Sequence, residues 1–99
     1  MKILYTEQSL ISLQESLDFI SKEVSLEKLI EIRDQILDST DILVKYPKLE
    51  KKEEYLEHLN LNHRRIIEGH YKIIYRIDKK IIYITDIFDT RQEPKKMKG

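Results

Sequence analysis

The N-terminal part of the chain combines a short apolar start with apolar positions at helical spacing. Residues 2–5 are mostly apolar and predict an opening strand, and Thr6 after them is a favourable helix N-cap. Beyond it the apolar residues stand three and four positions apart, which places them on one helix face. They are Leu10, Leu13, Leu17 and Ile20. We therefore predict a strand followed by an amphipathic helix that ends near Lys22.

A second apolar stripe predicts a second helix. Ser25 is positioned to cap it, and Pro47 limits it because proline disfavours helical geometry at Tyr46 before it. The residues of the stripe are Leu26, Leu29, Ile30, Ile36, Leu37 and Leu43. Only a few residues join the two helices, so an antiparallel helical hairpin is expected.

From about Arg65 the pattern becomes that of strands. Residues 48–60 are polar and predict a connection with short helical content. β-Branched and aromatic residues then dominate three runs, 66–67, 71–77 and 81–88, which short breaks separate. The element order is β-α-α-β-β-β, an α+β fold in which the N-terminal helical hairpin packs on one face of a small antiparallel sheet. We expect residues 1–99 to form a single domain.

Alternation along the central strand predicts two different sheet faces. Tyr71 and Tyr75 share one face with two isoleucines, so we expect them in the core rather than stacked on nucleic-acid bases. Lys72 and Arg76 lie on the other face. That face is expected to be partly polar and open, with its basic side chains converging.

Composition limits the possible chemistry. The chain has 99 residues and no cysteine, which excludes disulfides, thiolate metal sites and a thiol nucleophile. No apolar run approaches the roughly 18 residues that a membrane span needs, and the N-terminus lacks a signal-peptide pattern. We expect a cytoplasmic protein.

Charge is divided unevenly along the chain. Residues 1–60 contain 8 Lys and Arg against 13 Asp and Glu, a net charge of −5, and residues 61–99 contain 10 against 5, a net charge of +5. The basic half could meet phosphates or an acidic partner. Chance clustering on a solvated surface explains the counts equally well.

Two segments of the basic half, 65–77 and 87–94, resemble the strand hairpin and the final strand of RelE/ParE toxins. In that superfamily the hairpin opens with Arg, carries Gly at its turn and continues with Tyr and Arg. The residues in these places are Arg65, Gly69, Tyr71, Tyr75 and Arg76. The resemblance implies the toxin of a bacterial type II toxin–antitoxin system.

This resemblance also implies protein partners. A cognate antitoxin neutralises such toxins by laying a helix or an extended segment across them, and DNA is met only through the antitoxin. The ParE branch poisons DNA gyrase by binding it. No cofactor, metal, membrane or small-molecule substrate is implied.

Details of the motif favour the ParE branch over the RelE branch. Lys72 and Ile67 stand where ribosome-dependent RelE nucleases carry arginines. The nuclease branch ends its last strand in His-Arg followed by Tyr, whereas Arg91 is followed here by residues 92–94, Gln-Glu-Pro. We therefore expect a ParE-like inhibitor. Two alternatives remain open: a RelE-like endoribonuclease that cleaves mRNA on the ribosome, and a non-toxic interaction module.

Cleavage of RNA through the 2′-hydroxyl needs proton-transfer groups and cations that stabilise the developing negative charge. Under the RelE-like alternative, the candidates are Arg65, Lys72 and Arg91, with His63 or His70 as a group that titrates near neutrality. For both histidines a structural role is the favoured interpretation. For contact with the target or the antitoxin, the candidates are Arg65, Lys72, Arg76, Arg91 and Gln92. Such residues are more often solvated charges than catalysts, and Arg91 has Asp89 and Asp86 as nearby pairing partners.

The remaining polar residues are assigned no chemistry. The three histidines, at positions 58, 63 and 70, lack metal-ligand spacing, and His63 is expected to be structural. Glu53 and the acidic residues after it lie in a run of mixed charge. We expect them on the surface.

Overall fold

The computed structural model describes residues 1–99 and confirms the β-α-α-β-β-β order and the α+β class. The elements are β1 (Lys2–Tyr5), α1 (Glu7–Ile20), α2 (Leu26–Ser39), β2 (Arg64–Glu68), β3 (Tyr71–Asp78) and β4 (Ile81–Asp89). Short 3₁₀ turns occupy Asp41–Val44, Glu54–Leu59 and Pro94–Lys96. Neither helix is long and apolar enough to cross a membrane.

The sheet is mixed, with strand order β1-β4-β3-β2. Strands β2, β3 and β4 form the predicted antiparallel meander, but β1 runs parallel to β4, with Lys2 opposite Ile81 and Tyr5 opposite Ile84. Short turns fix the relative directions of the last three strands. The helical connection leaves β1 free to pair in parallel at the far edge, which hydrophobic periodicity does not reveal.

Helix α1 begins where the sequence predicts, because the Thr6 hydroxyl accepts a hydrogen bond from the Ser9 amide at 3.1 Å. Its buried face differs from the predicted one, since Ser9 and Ser16 are buried beside Leu13 while Leu10 is half exposed. Burial of Ser9 costs little because its hydroxyl donates to the Thr6 carbonyl at 2.7 Å. Small residues thus occupy part of the helix–sheet contact, and the expectation for Leu10 is wrong.

Helix α2 is shorter than predicted. Ser25 caps its start as expected, but the helix ends at Ser39, and Leu43 reaches the core from the 3₁₀ turn after it. At 100° per residue, Leu26 and Ile30 point roughly 80° and 120° away from the buried Ile36. Both are exposed, so only part of the predicted stripe packs.

Both faces of the sheet are packed. The main core lies between the helices and the sheet and contains Leu13, Ile36, Leu43, Ile66, Tyr71, Ile73, Tyr75, Ile82, Ile84 and Ile87. A second cluster on the outer face contains Leu56, Ile74, Phe88 and Met97. The 54–59 turn and the C-terminal tail therefore cover part of the face that was expected to be open.

Candidate functional site

Two of the predicted cations, Arg65 and Lys72, meet on the outer face of the sheet around Glu53. The Lys72 Nζ lies 2.8 Å from the Glu53 Oε1, and the Arg65 Nε lies 3.7 Å from the same oxygen. Arg65 also donates to the carbonyl of Lys52. The Glu53 side chain is only 2% exposed. We call Glu53, Arg65 and Lys72 the Glu53 cluster.

Backbone pairing holds Glu53 in this position. The Glu53 amide donates to the carbonyl of His63 at 2.8 Å, and the Arg65 amide donates to the carbonyl of Lys51 at 3.0 Å. The Glu53 Oε2 accepts from the Tyr55 amide at 3.2 Å. An extended segment thus adds to the edge of β2 and turns a carboxylate inward. The expectation of a surface Glu53 is wrong, and nothing in the run of charges distinguishes this residue from its neighbours.

The third predicted cation, Arg91, is paired with Asp89. Its Nε and Nη2 donate to the two Asp89 carboxylate oxygens at 2.9 and 2.8 Å, and its amide donates to the same carboxylate at 2.9 Å. Burial alone would raise the pKa of Asp89, but the hydrogen bonds and charge of Arg91 outweigh it and lower the pKa below its usual value. The bond to Asp89 in turn raises the pKa of Arg91. The Arg91 side chain remains 47% exposed.

The three cations do not form one site. Lys72 and Tyr71 are successive residues of β3, so their side chains point to opposite faces of the sheet. Arg65 lies on the face of Lys72, because it stands opposite Ile74 in the register. Tyr71 belongs to the core on the helix side, where burial and the charge of Asp89 raise its pKa and the charge of the nearby Arg91 opposes that rise. The structure brings Arg65 and Lys72 together and places Arg91 on the other side.

The remaining candidates are scattered. Arg76 lies over the ring of Tyr83, 4.9 Å from its centroid, and Gln92 is exposed. His70 lies in the turn between β2 and β3, where its carbonyl accepts from the amide and hydroxyl of Thr90 at 2.8 Å. None of these side chains forms a salt bridge with the Glu53 cluster.

An apolar groove lies beside Arg91, between the end of α1, α2 and the β2–β3 turn. Its volume is about 300 Å³. Ile20, Val24 and Ile32 contribute apolar surface, while His70 and Arg91 line the groove as well. We call it the helix-side groove. It brings the predicted residues His70 and Arg91 to one place, although no pattern in the sequence indicates a groove there.

His63 is buried, in an environment that the sequence pattern does not predict. It is 2% exposed, and neither ring nitrogen makes a hydrogen bond. It borders a polar cavity of about 500 Å³ that no hydrophobic residue lines. Burial, and then the nearby charge of Arg76, lower the pKa of His63, so the ring is neutral in the folded chain near pH 7. The expectation that it is structural agrees with this burial.

Tyr71 and Tyr75 are both buried, as predicted. The Tyr75 hydroxyl donates to the carbonyl of Pro47 at 2.9 Å. Burial raises the pKa of Tyr75 to about 12, so the hydroxyl keeps its proton and remains a donor. This tyrosine therefore supports the chain that follows α2.

Comparison with known proteins relates this fold to toxin–antitoxin systems. A solved structure described as a chromosomal ParDE toxin–antitoxin system from P. aeruginosa superimposes with a TM-score of 0.74 at 19% sequence identity. The match covers 88% of this chain and 92% of the other. No curated protein matches the chain. The family model of the ParE toxin of type II toxin–antitoxin systems, parDE, matches residues 3–94, and the chain therefore belongs to the ParE toxin family.

Proposed function

We propose that this toxin arrests bacterial growth by binding DNA gyrase and that a cognate antitoxin holds it inactive. The family match over residues 3–94 is the observation that carries the proposal. The structural relative from P. aeruginosa, described as a ParDE system, fits a chain that works as one half of a pair. In this proposal residues 1–99 act as a single domain in the cytoplasm, where gyrase is found.

The arrangement of the cations supports binding over RNA cleavage. A nuclease needs cations directed at one scissile phosphate. Here Lys72 and Arg65 are engaged by the buried Glu53, and Arg91 is engaged by Asp89 on the other side of the sheet. A binding inhibitor needs no such convergence. The RelE-like alternative is therefore the less favoured one.

The helix-side groove is the place we assign to the antitoxin. Its apolar surface can receive an aliphatic side chain. The Nη1 group of Arg91 can donate to a partner's carboxylate, since Asp89 accepts only from Nε and Nη2. In this assignment the antitoxin contributes an apolar residue with an acidic residue near it. DNA is reached only through the antitoxin.

Induced expression of the chain alone in a bacterium tests the proposal. Incorporation of labelled thymidine and methionine would be followed in parallel over the first minutes, with cells that carry the empty vector as the control. We expect an early fall in DNA synthesis while translation continues.

Two other results would contradict this function. An early fall in protein synthesis with cleaved mRNA would identify a RelE-like nuclease. Unchanged incorporation of both labels, in cells that contain the folded protein, would leave only a non-toxic interaction module.

A further inference from the structure

A basic and apolar surface lies between α2 and β2, outside the Glu53 cluster and the helix-side groove. Residues 42–52 carry four exposed apolar side chains and four exposed lysines. The apolar ones are Ile42, Val44, Tyr46 and Leu49, and the lysines are Lys45, Lys48, Lys51 and Lys52. We call these residues the 42–52 surface. These lysines form a basic segment within residues 1–60, whose net charge is −5.

Three of the four lysines, Lys45, Lys48 and Lys51, make no side-chain hydrogen bond within the chain, and Lys52 donates only to the Asn62 side chain, at 3.3 Å. None of them forms a salt bridge, and Glu50 is the only acidic residue between positions 42 and 52. Four lysines against one glutamate give the segment a net charge of +3. Unpaired charges beside exposed apolar side chains are typical of a protein-binding surface rather than of a merely solvated loop.

The backbone of this surface is held in place from several directions. Leu43 is fully buried in the main core. Arg64 Nη1 donates to the carbonyl of Glu50 at 2.6 Å, and Tyr75 donates to the carbonyl of Pro47 at 2.9 Å. The Tyr46 amide donates to the carbonyl of Ile42 at 2.9 Å. Because these contacts fix the surface before any partner arrives, binding loses less conformational entropy.

The chemistry of the exposed side chains selects a protein partner. Three of the four apolar residues are aliphatic and cannot stack on bases as the aromatic residues of nucleic-acid platforms do. Aliphatic residues with a tyrosine among lysines fit instead a surface that offers apolar contacts and carboxylates. The matching partner surface is acidic and partly apolar.

We propose that the 42–52 surface is where the toxin contacts its protein target, and that the target presents an acidic, partly apolar surface to it. This inference rests on the proposed function, in which the target is DNA gyrase. The 42–52 surface is separate from the helix-side groove assigned to the antitoxin. Tyr71 lines that groove, whereas Tyr75 donates a hydrogen bond to Pro47 within the 42–52 surface. These two tyrosines lie four residues apart on β3, which is about 13 Å.

The test measures binding of the full chain to purified gyrase holoenzyme by biolayer interferometry. One variant combines Lys45→Gln, Lys48→Gln and Lys51→Gln. Its matched control removes three exposed lysines elsewhere, Lys22→Gln, Lys80→Gln and Lys96→Gln, so that both variants lose the same charge. We expect the first variant to raise the dissociation constant at least tenfold and to reduce its salt dependence. The control should stay within about threefold of the wild type.

A second pair of variants tests the apolar part. Tyr46→Ala should weaken gyrase binding at least tenfold, whereas Phe19→Ala, which removes an exposed aromatic side chain on α1 outside the surface, should not. Circular dichroism confirms that each variant is folded. These changes should leave thermal unfolding close to that of the wild type, because the altered side chains are exposed.

The outcomes separate this inference from the proposed function. If the wild type binds gyrase and the surface variants bind equally well, the inference is wrong and the proposed function stands. If the wild type does not bind gyrase, both fail. Binding of a short DNA duplex alone that disappears in the lysine variant would also overturn the inference, because the surface would then recognise nucleic acid.

Discussion

Similar cationic side chains differ in their exposure on the two sides of the sheet. On the outer face, Lys72 and Arg65 are mostly buried against Glu53, and the 54–59 turn and the tail pack beside them. On the helix side, Arg91 is paired as well, but it remains 47% exposed beside a groove. Charged residues of one motif thus serve the stability of the fold on one side and stay accessible to a partner on the other.

The largest expected effect is on the outer face. Glu53→Gln leaves Lys72 and Arg65 without their carboxylate, and we expect a loss of about 3 kcal/mol in the free energy of unfolding. Glu54→Gln, one residue on and exposed, should change it by less than about 0.5 kcal/mol. Urea denaturation measures both. Equal stability of the two variants would show that Lys72 and Arg65 do not need the Glu53 carboxylate. The outer face would then not differ from the helix side in how far its ion pairs stabilise the fold.

His63 should make the outer face sensitive to acid. Its pKa is lower in the folded chain than in the unfolded chain, where it is about 6.5, so the unfolded chain binds a proton first as pH falls. The contribution of the neutral ring to the free energy of unfolding is therefore complete above about pH 6.5 and is lost as pH falls towards the folded pKa. The slope for one such proton is at most about 1.4 kcal/mol per pH unit. We expect the wild type to lose more stability than His63→Gln between pH 7.5 and 5.5 in urea denaturation. Parallel losses in the two proteins would contradict the burial of a neutral ring.

A smaller effect is expected at the edge of the helix side. Tyr75→Phe removes the hydrogen bond to the Pro47 carbonyl, and we expect a loss of about 1 kcal/mol. For a domain of this size that lowers the melting temperature by roughly 4–8 °C. Tyr83→Phe is the control, since the Tyr83 hydroxyl makes no hydrogen bond within the chain and its ring stays under Arg76. A melting temperature unchanged by Tyr75→Phe would mean that the Pro47 segment is held by other contacts.

The smallest effect on stability is expected at Arg91. Arg91 is half exposed, and although Asp89 is buried, the Arg91 backbone amide, which Arg91→Ala retains, still donates to its carboxylate. We therefore expect Arg91→Ala to lose at most about 1 kcal/mol in the free energy of unfolding, measured by urea denaturation. In contrast, we expect it to retain markedly less co-expressed antitoxin during affinity purification. Asp78→Ala, at an exposed site away from the groove, is the control. If Arg91→Ala lost much stability and retained as much antitoxin as the wild type, Arg91 would stabilise the fold and not bind the antitoxin, contrary to this prediction.

Much of the fold is visible in the sequence. The N-caps Thr6 and Ser25 fix both helix starts, and the alternation along β3 correctly buries Tyr71 and Tyr75. The direction of β1 and the early end of α2 are not visible. Both depend on contacts between residues far apart in sequence, such as the hydrogen bond of 2.9 Å between Tyr5 and Thr40.

The site is less predictable than the fold. The motif identified Arg65, Lys72 and Arg91, but it could not show which carboxylate each one meets. Glu53 lies among charged neighbours, and only the pairing of its backbone with His63 turns it inward. The helix-side groove likewise depends on how α2 sits against the β2–β3 turn, which local patterns do not determine.

The most direct test of the central claim, that this chain inhibits by binding gyrase, is a supercoiling assay with purified components. Relaxed plasmid, gyrase and ATP would be incubated with increasing amounts of the toxin, and purified ribosomes programmed with mRNA would receive the same amounts in parallel. The account predicts that supercoiling stops while the mRNA stays intact. Normal supercoiling together with cleaved mRNA would contradict it.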